Sequence, residues 1–403
     1  MVAFSLLLIV GLVVAVFVGF NIGGSNTGAA FGPAVGSNTV SKLGAGVLMT
    51  VFVLLGGWIV GPNVIDTLRK GIVPENLYTL EVSIMVLFFI GFALLLSNVA
   101  GVPASTSMTA VGAIVGLGLA SGTLNEAAML EIVVWWLVSP LIAFWVSGVI
   151  GRYFCPYLVD HFAVAQTEGS LLCLDRSRTL PRPALGPNTT RREFLGTVSV
   201  VVIACYVAFS AGASNVGNAV APLIASGSLD LGVGVLIGGG AIGLGALTIA
   251  RRTLDTMGND LTQMPLLAAM VVGLVSATLV TFLSWIDIPV SFVVIATMAI
   301  VGLGWGRATR TATVSEAARG EAPDVSVGAL AADAEDAPTV GGKGGTPTPR
   351  EHEPIGEESP DEMPSTADLF EPGTTARVIA LQNLVPAIAT VAAYLVFRFV
   401  LVV

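Results

Sequence analysis

Charged residues are scarce in this sequence. They make up 11% of its 403 residues, against 54% hydrophobic residues, whereas an average soluble domain contains about 25% charged residues. The mean hydropathy is correspondingly high, at +0.86. An ordinary soluble protein is therefore excluded, and we predict an all-α, multi-pass protein of the cell membrane that is surrounded by the lipid bilayer.

Histidine and cysteine are almost absent. His161 and His352 lie in polar stretches, and Cys155, Cys173 and Cys205 have no metal-ligand spacing. A histidine-based catalytic triad inside the membrane is excluded, so we expect neither an enzyme nor a disulfide framework. We expect no resident cofactor and no nucleic-acid partner, and the sequence leaves the presence of a metal ion open.

Several apolar runs approach the ~20 residues that a helix needs to cross a bilayer. The first run has neither a basic start nor a small-residue cleavage site, so we expect it to be retained rather than removed as a signal peptide. The clearest runs are 3–20, 44–61, 80–99, 131–150, 195–211, 231–250, 265–286 and 378–403.

Negative charge is concentrated in one stretch. Residues 307–375 contain 14 acidic and 5 basic residues, and the rest of the chain contains 13 of each. The stretch is rich in Pro, Gly, Ala, Asp and Glu and poor in large apolar residues, which predicts disorder. Such acidity favours a halophilic prokaryote, such as a halophilic archaeon; an acidic linker from any organism is the alternative.

A polar, glycine-rich pattern occurs twice within apolar sequence, at 23–33 and at 212–222. Gly23, Ser25, Asn26 and Pro33 each recur 189 residues later without slippage, so that Ser25 and Asn26 correspond to Ser214 and Asn215. A duplicated membrane protein with matching interruptions in both halves is built like a transporter. We therefore expect both patterns to break their helices.

Positive charges orient the chain. The stretch 151–194 contains six arginines, so the positive-inside rule predicts a cytoplasmic connector. Arg69 and Lys70 mark a second basic loop on the same side. Between these loops, 103–121 is then expected to be a re-entrant element that begins with polar, helix-breaking sequence, and Pro289 begins its counterpart. An odd number of crossings in each half would invert the second repeat and place both termini outside.

These boundaries predict two inverted-topology repeats with broken or re-entrant helices. The units are a first transmembrane repeat at 1–150, a connector at 151–194, the main part of the second repeat at 195–306, the acidic loop at 307–375 and a final helix at 376–403.

Interrupted helices would expose hydroxyl groups, amide groups and backbone atoms that can bind ions. Oxygen atoms suit a hard cation, and helix N-termini suit an anion, so paired interruptions describe a central oxyanion site, with room for a coupling ion. Tight helix packing through small residues is the alternative, and hydroxyl groups can also bond to their own helix. The candidate site residues are Ser25, Asn26, Thr27, Ser105, Thr106, Ser107, Ser214, Asn215, Asn218 and Ser291.

Two acidic residues also correspond across the repeat. Asp66 and Asp255 stand in the matching stretches 65–67 and 254–256. An ionisable group near membrane depth is a functional candidate, and helix capping is the alternative.

At these residues the chain resembles the PiT family of inorganic phosphate transporters, which includes a sulfate permease branch. The likeness is strongest at 209–223 and continues through 65–72, 103–116 and 238–258. It implies cation-coupled symport of phosphate by alternating access, driven by sodium ions or protons, with sulfate or another oxyanion as the alternative substrate.

The sequence departs from the family motif at several polar positions, and two of the replaced motif residues are carboxylates. Ser-Asn pairs stand where the family has Asn-Asp, Ala29 replaces a motif Asn, and Met108 replaces a His. A carboxylate would bind a cation and repel a dianion, so a neutral site could favour sulfate.

Two other functions remain open at this level. A membrane sensor or scaffold would signal through 307–375, and a passive anion channel would conduct without accumulating its substrate. The oligomeric state also remains open, with a homodimer as one option.

Overall fold

The computed structural model describes residues 6–37, 39–99, 105–154, 157–158, 172–175, 182–185, 191–249, 266–308 and 372–400. Its principal helices are α1 (Leu6–Gly36), α2 (Lys42–Ile59), α3 (Gly61–Asp66), α4 (Leu80–Val99), α5 (Thr106–Ser121), α6 (Glu126–Val149), α7 (Arg191–Ala225), α8 (Leu231–Leu247), α9 (Leu266–Trp285), α10 (Phe292–Ala308) and α11 (Pro372–Phe399).

Shorter elements complete the described part of the chain. Single helical turns lie at Thr67–Gly71, Glu75–Leu77 and Ile150–Phe154. Within the connector, β1 (Leu172–Asp175) pairs antiparallel with β2 (Arg182–Leu185), with Leu172 opposite Leu185. The membrane part is therefore all-α, as predicted.

Each apolar run predicted to cross the membrane coincides with a helix. Seven of the described helices are long and apolar enough to span a bilayer, while α5, α8 and α10 are shorter. The protein is thus a multi-pass membrane protein. With 16 residues and a rise of about 1.5 Å per residue, α5 reaches about 24 Å, less than the ~30 Å hydrocarbon core. Re-entry by this helix stays a prediction.

The two repeated patterns do not break their helices, so that prediction is wrong. Helix α1 continues through 23–33 to Gly36, and α7 continues through 212–222 to Ala225. Each helix ends three residues after its proline, Pro33 or Pro222. The physical reason is close packing, because tertiary contacts override the low helix propensity of Gly and Ser.

That close packing occurs at two helix crossings, α1 with α8 and α2 with α7. A Cβ atom added at any of four glycines would collide with a carbonyl oxygen of the facing helix. The pairs are Gly23 with Ile242, Gly245 with Phe20, Gly212 with Val53, and Gly56 with Phe209. Each residue of one crossing lies 189 positions from its counterpart in the other.

Two further pairs of helices pack extensively. Helix α5 lies against α11, and α6 lies against α10. The main core includes the fully buried residues Phe31, Ile65 and Leu117. A smaller core, which includes Leu283 and Val290, lies among α6, α9 and α10.

The acidic stretch predicted to be disordered lies largely outside the described residues. At its edges, α10 extends to Ala308 and α11 begins at Pro372. Residues 103–104 and 254–256, including Asp255, also lie outside the described residues.

Candidate functional site

The N-terminus of α5 carries the first polar residues of the site. Ser105 has an extended backbone (φ −73°, ψ 101°), and its Oγ accepts a hydrogen bond from the backbone N–H of Met108. Ser105 is thus the N-cap of α5, a position that Ser favours. The cap places Thr106 and Ser107 in the first helical turn, where both side chains are buried.

Helix α7 faces this turn with Ser214, Asn215 and Asn218, all buried. Thr106 Oγ1 donates to Asn215 Oδ1, and Asn218 Nδ2 lies 3.1 Å from the same oxygen. Asn218 Nδ2 also donates to Ser107 Oγ at 3.2 Å, and Ser107 Oγ lies 3.1 Å from Ser214 Oγ. We call these five residues the α5–α7 cluster.

The hydrogen bonds fix where the hydroxyl protons point. Ser214 Oγ donates to the carbonyl oxygen of Val290 at 3.0 Å. A serine has one hydroxyl proton, so Ser107 must be the donor in its bond to Ser214. The hydroxyl protons of Thr106, Ser107 and Ser214 are therefore all used within the protein.

One acceptor of the cluster has no donor. Asn218 Oδ1 is buried and lacks a hydrogen-bond partner in the described structure, and a buried polar atom of this kind normally has one. The cluster thus offers a free acceptor, while its hydroxyl donors become available only when existing bonds open.

Ser291, another predicted ligand, caps α10. Its Oγ accepts from the backbone N–H of Val294 at 3.3 Å. It follows Val290, whose carbonyl oxygen joins the cluster, so the start of α10 borders the site. Ser105 and Ser291 therefore occupy equivalent places, each at the N-terminus of a short helix beside the cluster.

The polar residues of the first repeated pattern, on α1, are separate from the α5–α7 cluster. Thr27 Oγ1 donates to the carbonyl oxygen of Gly23 in its own helix at 2.7 Å, the alternative expected for an intramembrane hydroxyl. Ser25 Oγ is buried without a partner among the described residues, and Asn26 is buried. No hydrogen bond in the described part of the chain joins these three residues to the α5–α7 cluster.

Sequence reasoning missed a second polar contact inside the membrane. Asn98 Nδ2 on α4 donates to Asn21 Oδ1 at 3.0 Å and to the Asn21 carbonyl oxygen at 3.2 Å. Asn21 lies on α1, a little over one turn before Asn26. The rarity of amide side chains in an apolar run was the signal that could have identified this pair.

Charge lies outside the cluster. Asp66 bonds to Arg69 at 2.7 Å and to Lys70 at 3.0 Å. Partial burial acts to raise the pKa of Asp66, but the hydrogen bonds and charges of Lys70 and Arg69 outweigh it and lower that pKa below its ordinary value. The Asp66 side chain does not cap the following helical turn, so its observed role is to form these ion pairs.

The described residues hold no group of three or more His, Cys, Asp or Glu side chains that could bind a metal ion.

Comparison with known proteins agrees with this architecture. A sulfate permease of Bacillus subtilis, CysP, is 33% identical over 294 residues, which cover 73% of this chain and 76% of that protein. A candidate phosphate permease of Pyrococcus furiosus is 24% identical over 361 residues, which cover 73% and 87%.

A solved sodium-dependent phosphate transporter superposes with a TM-score of 0.64 at 19% identity and covers 98% of this chain and 100% of its own, a likeness of fold. The model of the phosphate transporter family matches residues 22–320. The chain therefore belongs to the phosphate transporter family.

Proposed function

We propose that this chain is a secondary transporter of inorganic phosphate, with no catalytic role, and that the α5–α7 cluster forms part of its substrate site. The observation that carries the proposal is a buried, uncharged set of hydroxyl and amide groups where α5, α7 and the start of α10 meet. Membership in the phosphate transporter family supports phosphate as the substrate.

Opening of the cluster would supply the donors that an oxyanion needs. If Ser214 leaves the Val290 carbonyl and Thr106 leaves Asn215, two hydroxyl groups become free to donate to substrate oxygens. Phosphate keeps at least one proton at neutral pH and so also needs an acceptor. Asn218 Oδ1, buried without a partner among the described residues, has the chemistry to accept a hydrogen bond from that protonated phosphate oxygen.

Sulfate is a second candidate, because the cluster contains no carboxylate. Sulfate carries no proton at neutral pH and needs only donors, and a nearby carboxylate would repel the dianion. The relationship to the sulfate permease of Bacillus subtilis also favours this substrate.

Alternating access between two inverted repeats is the proposed mechanism. The two glycine crossings, related by the same 189-residue offset, support the repeats. The packing of α5 on α11 and of α6 on α10 supports an exchange of helices between them. We further propose sodium-ion or proton coupling, cytoplasmic 151–194, external termini and, as an open option, a homodimer.

Uptake of radiolabelled phosphate and sulfate into proteoliposomes tests the proposal, with imposed sodium or proton gradients. Concentrative uptake of one anion, lost in Asn215→Ala, is the expected result. Thr278→Val is the control, because its exposed hydroxyl bonds only to its own helix at Leu274. Gradient-insensitive flux would indicate a channel instead. Uptake of neither anion would contradict the proposal.

A further inference from the structure

The segment 285–290, which joins α9 to α10, is held by side chains from distant parts of the chain. Four of its carbonyl oxygens each accept one side-chain hydrogen bond. The bonds are Asn63 Nδ2 to Trp285 (2.6 Å), Thr67 Oγ1 to Asp287 (2.7 Å), Trp136 Nε1 to Pro289 (2.8 Å) and Ser214 Oγ to Val290 (3.0 Å). We call the first three donors, Asn63, Thr67 and Trp136, the clamp.

The segment has a defined and strained geometry. Asp287 has φ 67°, a left-handed conformation that is uncommon outside glycine and persists only where neighbouring contacts enforce it. The Ile288 N–H donates back to the Leu283 carbonyl oxygen at 2.9 Å. The side chains of Ile288 and Val290 are buried. The clamp and this burial together fix the position of the Val290 carbonyl oxygen.

That carbonyl oxygen controls a donor of the α5–α7 cluster. While the Val290 carbonyl oxygen accepts the hydrogen bond from Ser214, Ser214 cannot donate to a substrate oxygen, and Ser107 in turn donates to Ser214. Movement of the segment away from α7 would free the Ser214 hydroxyl. In the described part of the chain, no hydrogen bond joins a clamp residue directly to the cluster, so the two are linked only through this segment.

We propose that Asn63, Thr67 and Trp136 are positioning residues, which hold segment 285–290 against Ser214. They keep the Ser214 hydroxyl bonded to the Val290 carbonyl oxygen until substrate binding releases the segment. The inference rests on the proposed function, since it assigns a role to the same site. Apparent affinity for the anion then depends on the fraction of molecules in which the clamp is open.

The bonds of the clamp differ in their surroundings. The bonds from Asn63 and Thr67 are exposed to solvent, whereas that from Trp136 is partly buried. Loss of one neutral hydrogen bond shifts such an equilibrium by about fivefold when the bond is shielded from water, and by less at the surface. Trp136 is therefore the most informative position.

Uptake kinetics in proteoliposomes test the clamp. Trp136→Phe removes the donor and keeps an aromatic ring, so KM for the transported anion should fall about fivefold without a matching rise in Vmax. Thr67→Val should lower KM by less, and Thr67→Ser, which keeps the hydroxyl, should restore it. Thr278→Val is the matched control for a lost threonine hydroxyl. A merely structural role would lower Vmax and leave KM unchanged, and that result would overturn the inference.

Cysteine labelling gives a second readout that does not depend on transport. Ser291→Cys, in a background where Cys155, Cys173 and Cys205 are replaced by serine, reports access to the start of α10. A charged methanethiosulfonate reagent should modify it severalfold faster when Trp136→Phe is added. Equal labelling rates would contradict the clamp. If wild-type protein takes up neither anion, yet Trp136→Phe still speeds labelling of Ser291→Cys, the proposed function alone is contradicted.

Discussion

Single side chains decide what the α5–α7 cluster, the proposed substrate site, would bind. Asn215 Oδ1 accepts hydrogen bonds from both Thr106 and Asn218, so it is the shared acceptor of the two helices. An amide at this place is neutral, and a carboxylate would keep an oxygen there while adding a negative charge at a buried position. If the cluster binds substrate as proposed, the choice of Asn at 215 bears directly on which anion it would accept.

Asn215→Asp should separate the two candidate substrates. A full charge a few ångströms from a dianion raises the free energy of binding enough to increase KM for sulfate about tenfold or more. The KM for phosphate should rise less, because a protonated phosphate oxygen can donate a hydrogen bond to the carboxylate. Side-by-side uptake measures both KM values. Asn125→Asp is the control, since it retains a good N-cap at the exposed start of α6 and gives up only an exposed hydrogen bond to the Gly71 carbonyl oxygen. An equal rise for both anions would contradict this account.

The sequence named ten candidate residues for one central site, but it did not predict what each one does. The structure brings Ser214, Asn215 and Asn218 into contact with Thr106 and Ser107. Ser105 and Ser291 instead cap helices, and Thr27 bonds within α1. Rotamers and hydrogen-bond partners depend on the facing helix, and composition contains no information about that.

At the scale of helices, length and hydropathy were sufficient to locate the membrane crossings. The interruptions were not predictable in this way, because Gly and Ser disfavour an isolated helix yet allow two helices to approach closely. Helices α1 and α7 stay continuous since their glycines face carbonyl oxygens of α8 and α2. The clamp was equally hidden, because Trp136 and Pro289 are 153 positions apart.

Glycine substitutions test that explanation of the continuous helices. Gly23→Ala and Gly212→Ala should each destabilise the protein by about 1–3 kcal/mol, because the added methyl group forces the helices apart. Gly240→Ala on α8 is the matched control, since a methyl group added there would meet no atom within 4 Å, and it should be neutral or slightly stabilising. Thermal unfolding of the purified protein in detergent measures all three variants. Equal behaviour of the three would argue against close packing as the cause.

At the scale of the whole molecule, the two halves of the chain complete each other. Helix α11 has one buried face, which consists of residues spaced by four: Val385, Ala389, Ala393 and Phe397. Phe397 meets Phe89 of α4 edge to face, with ring centroids 6.3 Å apart. Likewise α10 lies on α6. Each half therefore buries apolar surface that only the other half can cover, and neither half should form a stable unit alone.

A split chain tests this interdependence. A cut within 159–171 separates α1–α6 from α7–α11, and each fragment expressed alone should aggregate or be degraded, because its exposed helix faces lack their partners. Co-expression of the two fragments should restore a monodisperse complex and anion uptake. A cut within 309–371 removes only α11 from the chain, so the remaining fragment should keep the α6–α10 contact and lose only the cover of α4 and α5. Size-exclusion chromatography and protease resistance measure both cases. A first fragment that is folded and protease-resistant by itself would show that the halves are independent, and exchanged packing would then contribute little to the stability of the transporter.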